Sequence, residues 1–256
     1  VILGRNEMTS SIYIGMKQIA NVRTLFGICS IVILSSISSI DTFFQIFPVK
    51  SLQESNYHQI FILKAICSDL QKSFIPILSV LPYATSYIDE LKSKYVRFNL
   101  IRTNYITYTT SCILVCFLSG WLVILIGNVL AWGVFTLLLL PMEKAGESSQ
   151  QVVFLLLRTC MLMSLNGGLW AVVGMTMSAF MESKYIAYAS PFIIYYLLII
   201  LCKRYLHNAV LLYPPNWTNP DVWPFGALGA ALFLLELTAI CGIVFIVRAG
   251  KRLREL

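Results

Sequence analysis

Charge is what this sequence has least of. Asp, Glu, Lys and Arg make up 12% of its 256 residues, against 58% hydrophobic, and a soluble core of this length has no room for so much apolar surface. Other absences exclude chemistry. Gly250-Lys251 is the sole Gly-Lys pair and is followed by Arg252, so no GxxxxGK[ST] loop cradles a phosphate. His58 and His207 fall in different loops and in no metal-ligand spacing. The seven cysteines include no CxxC; Cys112 and Cys116 share a helix face, which without further ligands reads as buried thiols. No GxSxG elbow occurs, and no paired-carboxylate or Ser/His arrangement stands out. The expectation is a chain with no catalytic residues, no metal and no cofactor of its own. No short apolar stretch with a small-residue cleavage site opens it.

What is there is apolar length. A mean hydropathy of +0.77 and runs of about 20 apolar residues place the chain in a bilayer. The pattern predicts an all-α membrane protein, one transmembrane domain over residues 1–256 with six spans near residues 24–47, 66–83, 105–140, 152–181, 185–201 and 225–247. The second is interrupted by Pro76 and Pro82 and expected to kink. The third, at roughly 54 Å, overshoots a hydrocarbon core of roughly 30 Å and must tilt, project, or break near Gly127-Asn128. Residues 1–23 read as an interfacial helix or a disordered tail. Residues 205–224, with their prolines, tyrosines and tryptophans, suggest a re-entrant or interfacial element on the outer side.

The net charge of +7 forms no continuous patch for nucleic acid. The basic residues sit at span ends and report topology instead. With both termini cytoplasmic, twelve of the 19 Lys and Arg lie inside, among them Arg23, Lys92, Lys94, Lys184 and Arg252, and seven outside, among them Lys72, Arg158 and Lys203.

Between spans two and three, PYATSYIDELKSKYVRFNLIRTNYITY reads as one charged amphipathic helix over residues 84–102. Ala84, Tyr87, Ile88, Leu91, Tyr95, Phe98 and Ile101 recur every three or four positions, and Asp89, Glu90, Lys92, Lys94, Arg97 and Arg102 take the other faces. Ser86 and Asp89 have capping-box spacing. Such a helix lies on headgroups or docks a partner. Within the membrane, Glu236 falls at mid-span six, where an ionised carboxylate is costly. Arg158 either pairs with it or snorkels to the headgroups, Asp41 has the same ambiguity, and Asn166 beside Gly167-Gly168 allows close helix packing.

The same run, with SAFMESKYIAYASPFIIYYLLIIL at 178–201 and LLYPPNWTNP at 211–220, resembles the ABC-2 type permeases of bacterial ABC exporters from about residue 74 onward. Ser86, Asp89 or Glu90, Ser93, Tyr95, Arg102 and Tyr108 match the family's cytoplasmic segment that contacts the ATPase. Two positions depart from the pattern: Lys94 stands where Gly is frequent, and Cys112 where Lys is frequent. The resemblance implies the membrane subunit of an exporter in the bacterial inner membrane, paired with a second permease subunit, identical or related. ATP and Mg would be bound by a separate ATPase subunit. Tyr87, Asp89, Glu90, Leu91, Lys92, Tyr95, Arg97, Arg102 and Lys184 would couple to it. The cargo expected is amphipathic or hydrophobic, with peptides the favoured class. The competing readings are an ion-coupled transporter or channel working through Glu236, Asp41 and Arg158, and a membrane subunit that only recruits a soluble protein.

Overall fold

The computed structural model describes residues 13, 15–19, 21–40, 57–142, 150–206 and 210–253. Every regular element among them is helical. Four helices are long and apolar enough to cross a membrane: α6 (Tyr105–Leu139), α7 (Gln150–Met181), α8 (Lys184–Arg204) and α9 (Gly226–Leu253). They coincide with predicted spans three to six. α1 (Val22–Ser38) is a shorter apolar helix of 17 residues; the predicted end of span one, Asp41 included, lies outside the described residues, as do residues 1–12 and His207.

The second predicted span is corrected. Its place is taken by two ten-residue helices, α2 (Tyr57–Ile66) and α3 (Asp69–Leu78). Ser68 separates them because its hydroxyl accepts from the Gln71 N–H at 3.3 Å, and Asp69 in the first turn suits the new helix dipole. The predicted segment therefore begins at Ile66, where one helix ends, and Pro76 sits inside the next.

α6 is continuous for 35 residues, so of the three ways to fit its excess length, a break at Gly127-Asn128 is excluded. Gly127 serves another purpose. A Cβ there would stand 2.6 Å from Ile31 Cδ1, so the bare backbone lets α1 lie close. Asn128 is fully buried, and its Oδ1 accepts from Gln71 Nε2 at 2.6 Å, while Ser35 donates to Gln71 Oε1 at 3.1 Å. This relay joins α1, α3 and α6 by pairing polar groups away from water, with Asn128 Nδ2 left unpartnered among the described residues.

α7 is the central helix, packed most extensively on α6 and then on α9 and α8. The α6–α7 seam depends on small residues: a Cβ on Gly120 would meet Ala171 Cβ at 2.7 Å and the Gly167 carbonyl at 2.8 Å. Where α8 crosses, Pro191 cannot donate to the Ala187 carbonyl four residues back, and Gly174 of α7 approaches that oxygen, with its virtual Cβ at 2.7 Å. Outside α8, three short 3-10 turns over Val210–Leu212, Pro214–Thr218 and Pro220–Val222 form a folded cap. Trp217 stacks on Trp170 at 5.8 Å and 19°, and its indole N–H donates to the Leu211 carbonyl at 2.8 Å.

Gly120→Ala should cost about 1–3 kcal/mol through overpacking and lower the thermal midpoint of the detergent-purified chain. Gly133 has nothing within 4 Å of a virtual Cβ. Gly133→Ala should leave the midpoint unchanged or raise it, by up to about 1 kcal/mol of helix propensity.

Candidate functional site

The starts of α1 and α6, the α7–α8 turn and the end of α9 meet at the end of the bundle richest in described Lys and Arg, and the segment after α3 is folded among them. Pro82 and Tyr83 turn the chain, and α4 (Ser86–Lys92) begins after Thr85, whose side chain makes no capping bond. The capping-box reading is therefore corrected: the Ser86 hydroxyl donates to Gln18 Oε1 at 3.2 Å, and Asp89 has another partner. α4 buries Tyr87 and Ile88 almost completely. The Tyr87 ring meets Phe245 of α9 edge-on at 5.0 Å, the kind of aromatic contact that fixes orientation as well as area.

Polar contacts then fasten α4 on both sides. Asp89 forms an ion pair with Lys184, the first residue of α8. Glu90 points the other way, accepting from the Tyr108 hydroxyl of α6 at 2.6 Å and from Asn99 Nδ2 at 3.4 Å. Burial pushes the Glu90 carboxyl above the ordinary carboxylate range, against the lowering effect of those two hydrogen bonds. One turn further, Glu182 sits in the left-handed region at φ 55, between α7 and α8, and pairs with Arg252 of α9. That partner holds its carboxyl below the ordinary range. Arg248 lies over the Phe180 ring at 5.3 Å.

The single predicted helix over 84–102 is two helices. Ser93 and Lys94 end α4, Lys94 takes φ 60 and ψ 10, and α5 (Tyr95–Arg102) leaves in a new direction. The apolar stripe read from the sequence is thereby split. Ala84, Tyr87, Ile88 and Val96 are buried, whereas Tyr95 is 51% and Phe98 66% exposed. Their rings lie together, 6.4 Å apart, next to the exposed Lys92 and Lys94. A polar cleft of about 420 Å³ runs beside them, lined in part by Gln18, Arg23, Asp89, Glu90 and Tyr95.

The structure thus brings Tyr87, Asp89, Glu90, Leu91, Lys92, Tyr95 and Lys184 into one assembly. Arg97 and Arg102 lie on α5, with side chains outside the described set. The intramembrane candidates do not form a second site. Glu236 faces outward from α9. Arg158 is half-buried with its Nε unpartnered, and Asn166 is buried with its Oδ1 unpartnered. No hydrogen bond or ion pair joins these three among the described residues. The sequence reading gave Gln71 and Asn99 no role and took Arg252 as a topology charge alone; the partners of Gln71 and Arg252 are distant in the chain, and that of Asn99 lies nine residues back, across the α4–α5 break. Apolar cavities of about 330 and 440 Å³ lie between α7, α8 and α9 and between α6 and α9.

Because the folded state raises the Glu90 acid, its contribution to stability is full below the unfolded carboxylate range and is lost as pH rises through the folded value. Glu90→Gln keeps an acceptor for Tyr108 and has no proton to lose. It should flatten the fall of the thermal midpoint as pH rises above the ordinary carboxylate range, whereas Tyr108→Phe should destabilise the chain by about 1–3 kcal/mol. No family model, curated protein or solved structure matches this chain.

Proposed function

We propose that the chain is the membrane subunit of an ATP-driven exporter of the ABC-2 permease type, set in the bacterial inner membrane with both termini cytoplasmic. α4 and α5 would be its coupling element. The observation that carries this reading is the division of labour in residues 84–102. One half is fastened to α6, α8 and α9 through Tyr87, Asp89 and Glu90, and the other presents Tyr95 and Phe98 to the surroundings. A face that is apolar, exposed and rigidly tied to the spans suits a soluble partner that exerts force. An ATPase subunit carrying ATP and Mg is that partner.

The resemblance supplies a second support at Lys94. Similar permeases often have Gly at this position, and the left-handed backbone found here is the conformation in which glycine has least strain. In this mechanism, closure of two ATPase subunits pushes on α5, α4 transmits the push through its anchors, and the spans tilt to release cargo outward. The cargo class favoured is an amphipathic or hydrophobic peptide, for which the apolar cavities beside α9 offer membrane-facing surfaces. Glu236, Arg158 and Asn166 lie apart, so no observation favours the ion-coupled alternative.

Asp89 and Glu90 point into the bundle, so the docking face is tested better at Tyr95 and Phe98. Tyr95→Ala with Phe98→Ala should leave the thermal midpoint within about 0.5 kcal/mol of the parent, as for surface substitutions. The same pair should lower ATPase co-purification from native membranes about tenfold or more, the effect of losing aromatic anchors. Unchanged recovery of a stoichiometric ATPase, or its absence from the parent complex, would overturn the reading.

A further inference from the structure

α8 and α9 both pack on α7, but they are not packed on each other to any comparable extent. A slot of about 330 Å³ is left between them, floored by Val173 and Met177 of α7 and walled by Ile194 and Leu198 of α8 and by Ile240 and Val244 of α9. Thr176 brings the one hydroxyl among the lining residues, and that group donates to the Val172 carbonyl at 2.7 Å. A slot so apolar stays dry. At one end it is stoppered by Trp217 of the 3-10 cap, which is stacked on Trp170. Leu169 and Phe180, the first and last α7 residues along it, are eleven residues apart, about 16.5 Å at a helical rise. That is close to half of a hydrocarbon core of roughly 30 Å, the depth of a single leaflet. The other end is charged. Arg248 stands one turn beyond Val244 on α9, with its guanidinium over the Phe180 ring at 5.3 Å. Among the described residues no acceptor bonds it, since Asp89 pairs with Lys184 and Glu182 with Arg252, and Glu182 feels Arg248 only at longer range. Lys251, three residues on, is also exposed.

We infer that this slot holds one acyl chain of an anionic phospholipid from the leaflet at the basic end of the bundle, with the phosphate on Arg248 and the headgroup reaching Lys251. The polarity of the slot selects that occupant. It is apolar for one leaflet's depth, closed at the bilayer midplane side by Trp217, and cationic where a headgroup would lie. A spanning helix from another protein would need the second half of the bilayer as well, where the tryptophan cap closes the slot. Basic pockets between spans are a recurrent seat for anionic headgroups, and a guanidinium with free donors matches phosphate oxygens two at a time. The bound chain would supply the contact between α8 and α9 that the protein itself lacks, so the folded state should gain stability from it. The inference does not rest on the exporter reading; it gives this cavity to a resident lipid and leaves the one between α6 and α9 for cargo.

The test uses the full chain, stripped of lipid in detergent and returned to nanodiscs of phosphatidylcholine alone or with phosphatidylglycerol added. Phosphatidylglycerol should raise the thermal midpoint, as a ligand of the folded state does, and native mass spectrometry should find it retained on the chain in preference to phosphatidylcholine. Arg248→Gln should lower that retention about tenfold, the loss expected with a charge-assisted hydrogen bond, and abolish the rise in midpoint. Val244→Trp, which fills the slot from its half-exposed wall and leaves Arg248 in place, should do the same. Lys203→Gln, an exposed cation near the far end of α8, should change neither. Equal midpoints in the two lipids, retention unaltered by Arg248→Gln, or a rise matched by inorganic phosphate in phosphatidylcholine nanodiscs would each overturn the inference. Full retention in Val244→Trp would reduce the site to a headgroup contact and overturn the slot's part in it.

Discussion

Gly120 of α6 and Gly167 of α7 are pressed together so closely that neither could carry a side chain without moving its neighbour. In a bilayer, lipid tails solvate leucine as well as a second helix does, so helices associate where backbones approach and polar groups find partners. The α6–α7 seam meets that condition. It leaves α7 with its other faces free for α8 and α9, and Gly174 repeats the device against α8. The tryptophan cap then closes over Trp170 on the same helix. Loss of close approach at this seam would therefore be felt in every other contact of α7.

The two ends of the bundle use polarity differently. Toward one end, Ser35, Gln71 and the Asn128 side-chain oxygen are hydrogen-bonded in a row inside the packing and join three helices. At the other, acids are drawn to bases and hydroxyls on different helices: Asp89 to Lys184, Glu90 to Tyr108, Glu182 to Arg252. Exposed ion pairs are individually weak, but these two and the Tyr108–Glu90 hydrogen bond converge on elements that also share a buried apolar cluster around Tyr87, Tyr108 and Phe245. Asp89–Lys184 and Glu90–Tyr108 therefore act together as a clamp on α4, while Glu182–Arg252 ties the α7–α8 turn to α9. α5, whose described side chains contribute Val96 to that cluster, presents Tyr95 and Phe98 outward, and this asymmetry gives the exporter reading its physical form.

The sequence revealed the long apolar elements because hydropathy over twenty residues is a strong signal, and α6 to α9 fall where it placed them. It also identified the segment that becomes the candidate site. It misjudged features that depend on a single residue or on distant partners. The stripe from Ala84 to Ile101 has helical spacing throughout, and periodicity alone could not show that Lys94 would adopt the left-handed region and turn α5 away. Gly127 looked like a breaking point and proved to be a contact point, because a glycine's role depends on what packs against it. Ser68 followed by Asp69 has a cap's chemistry, a local signal for the break between α2 and α3 that hydropathy averaged over twenty residues passes over. Glu236 and Arg158 were candidate partners on residue type alone, and their separation became visible only when the faces of α7 and α9 were fixed.

The central claim is that α4 is anchored to the spans while α5 is presented. Hydrogen exchange of the full chain in lipid nanodiscs measures this directly, since amides exchange through local opening. Residues 86–92 should exchange as slowly as the first turns of α6, and a chain carrying Lys184→Ala and Tyr108→Phe should lose that protection while the amides of α7 keep theirs. If residues 86–92 exchange as fast as an unstructured loop in the unmodified chain, no clamp exists and the account fails.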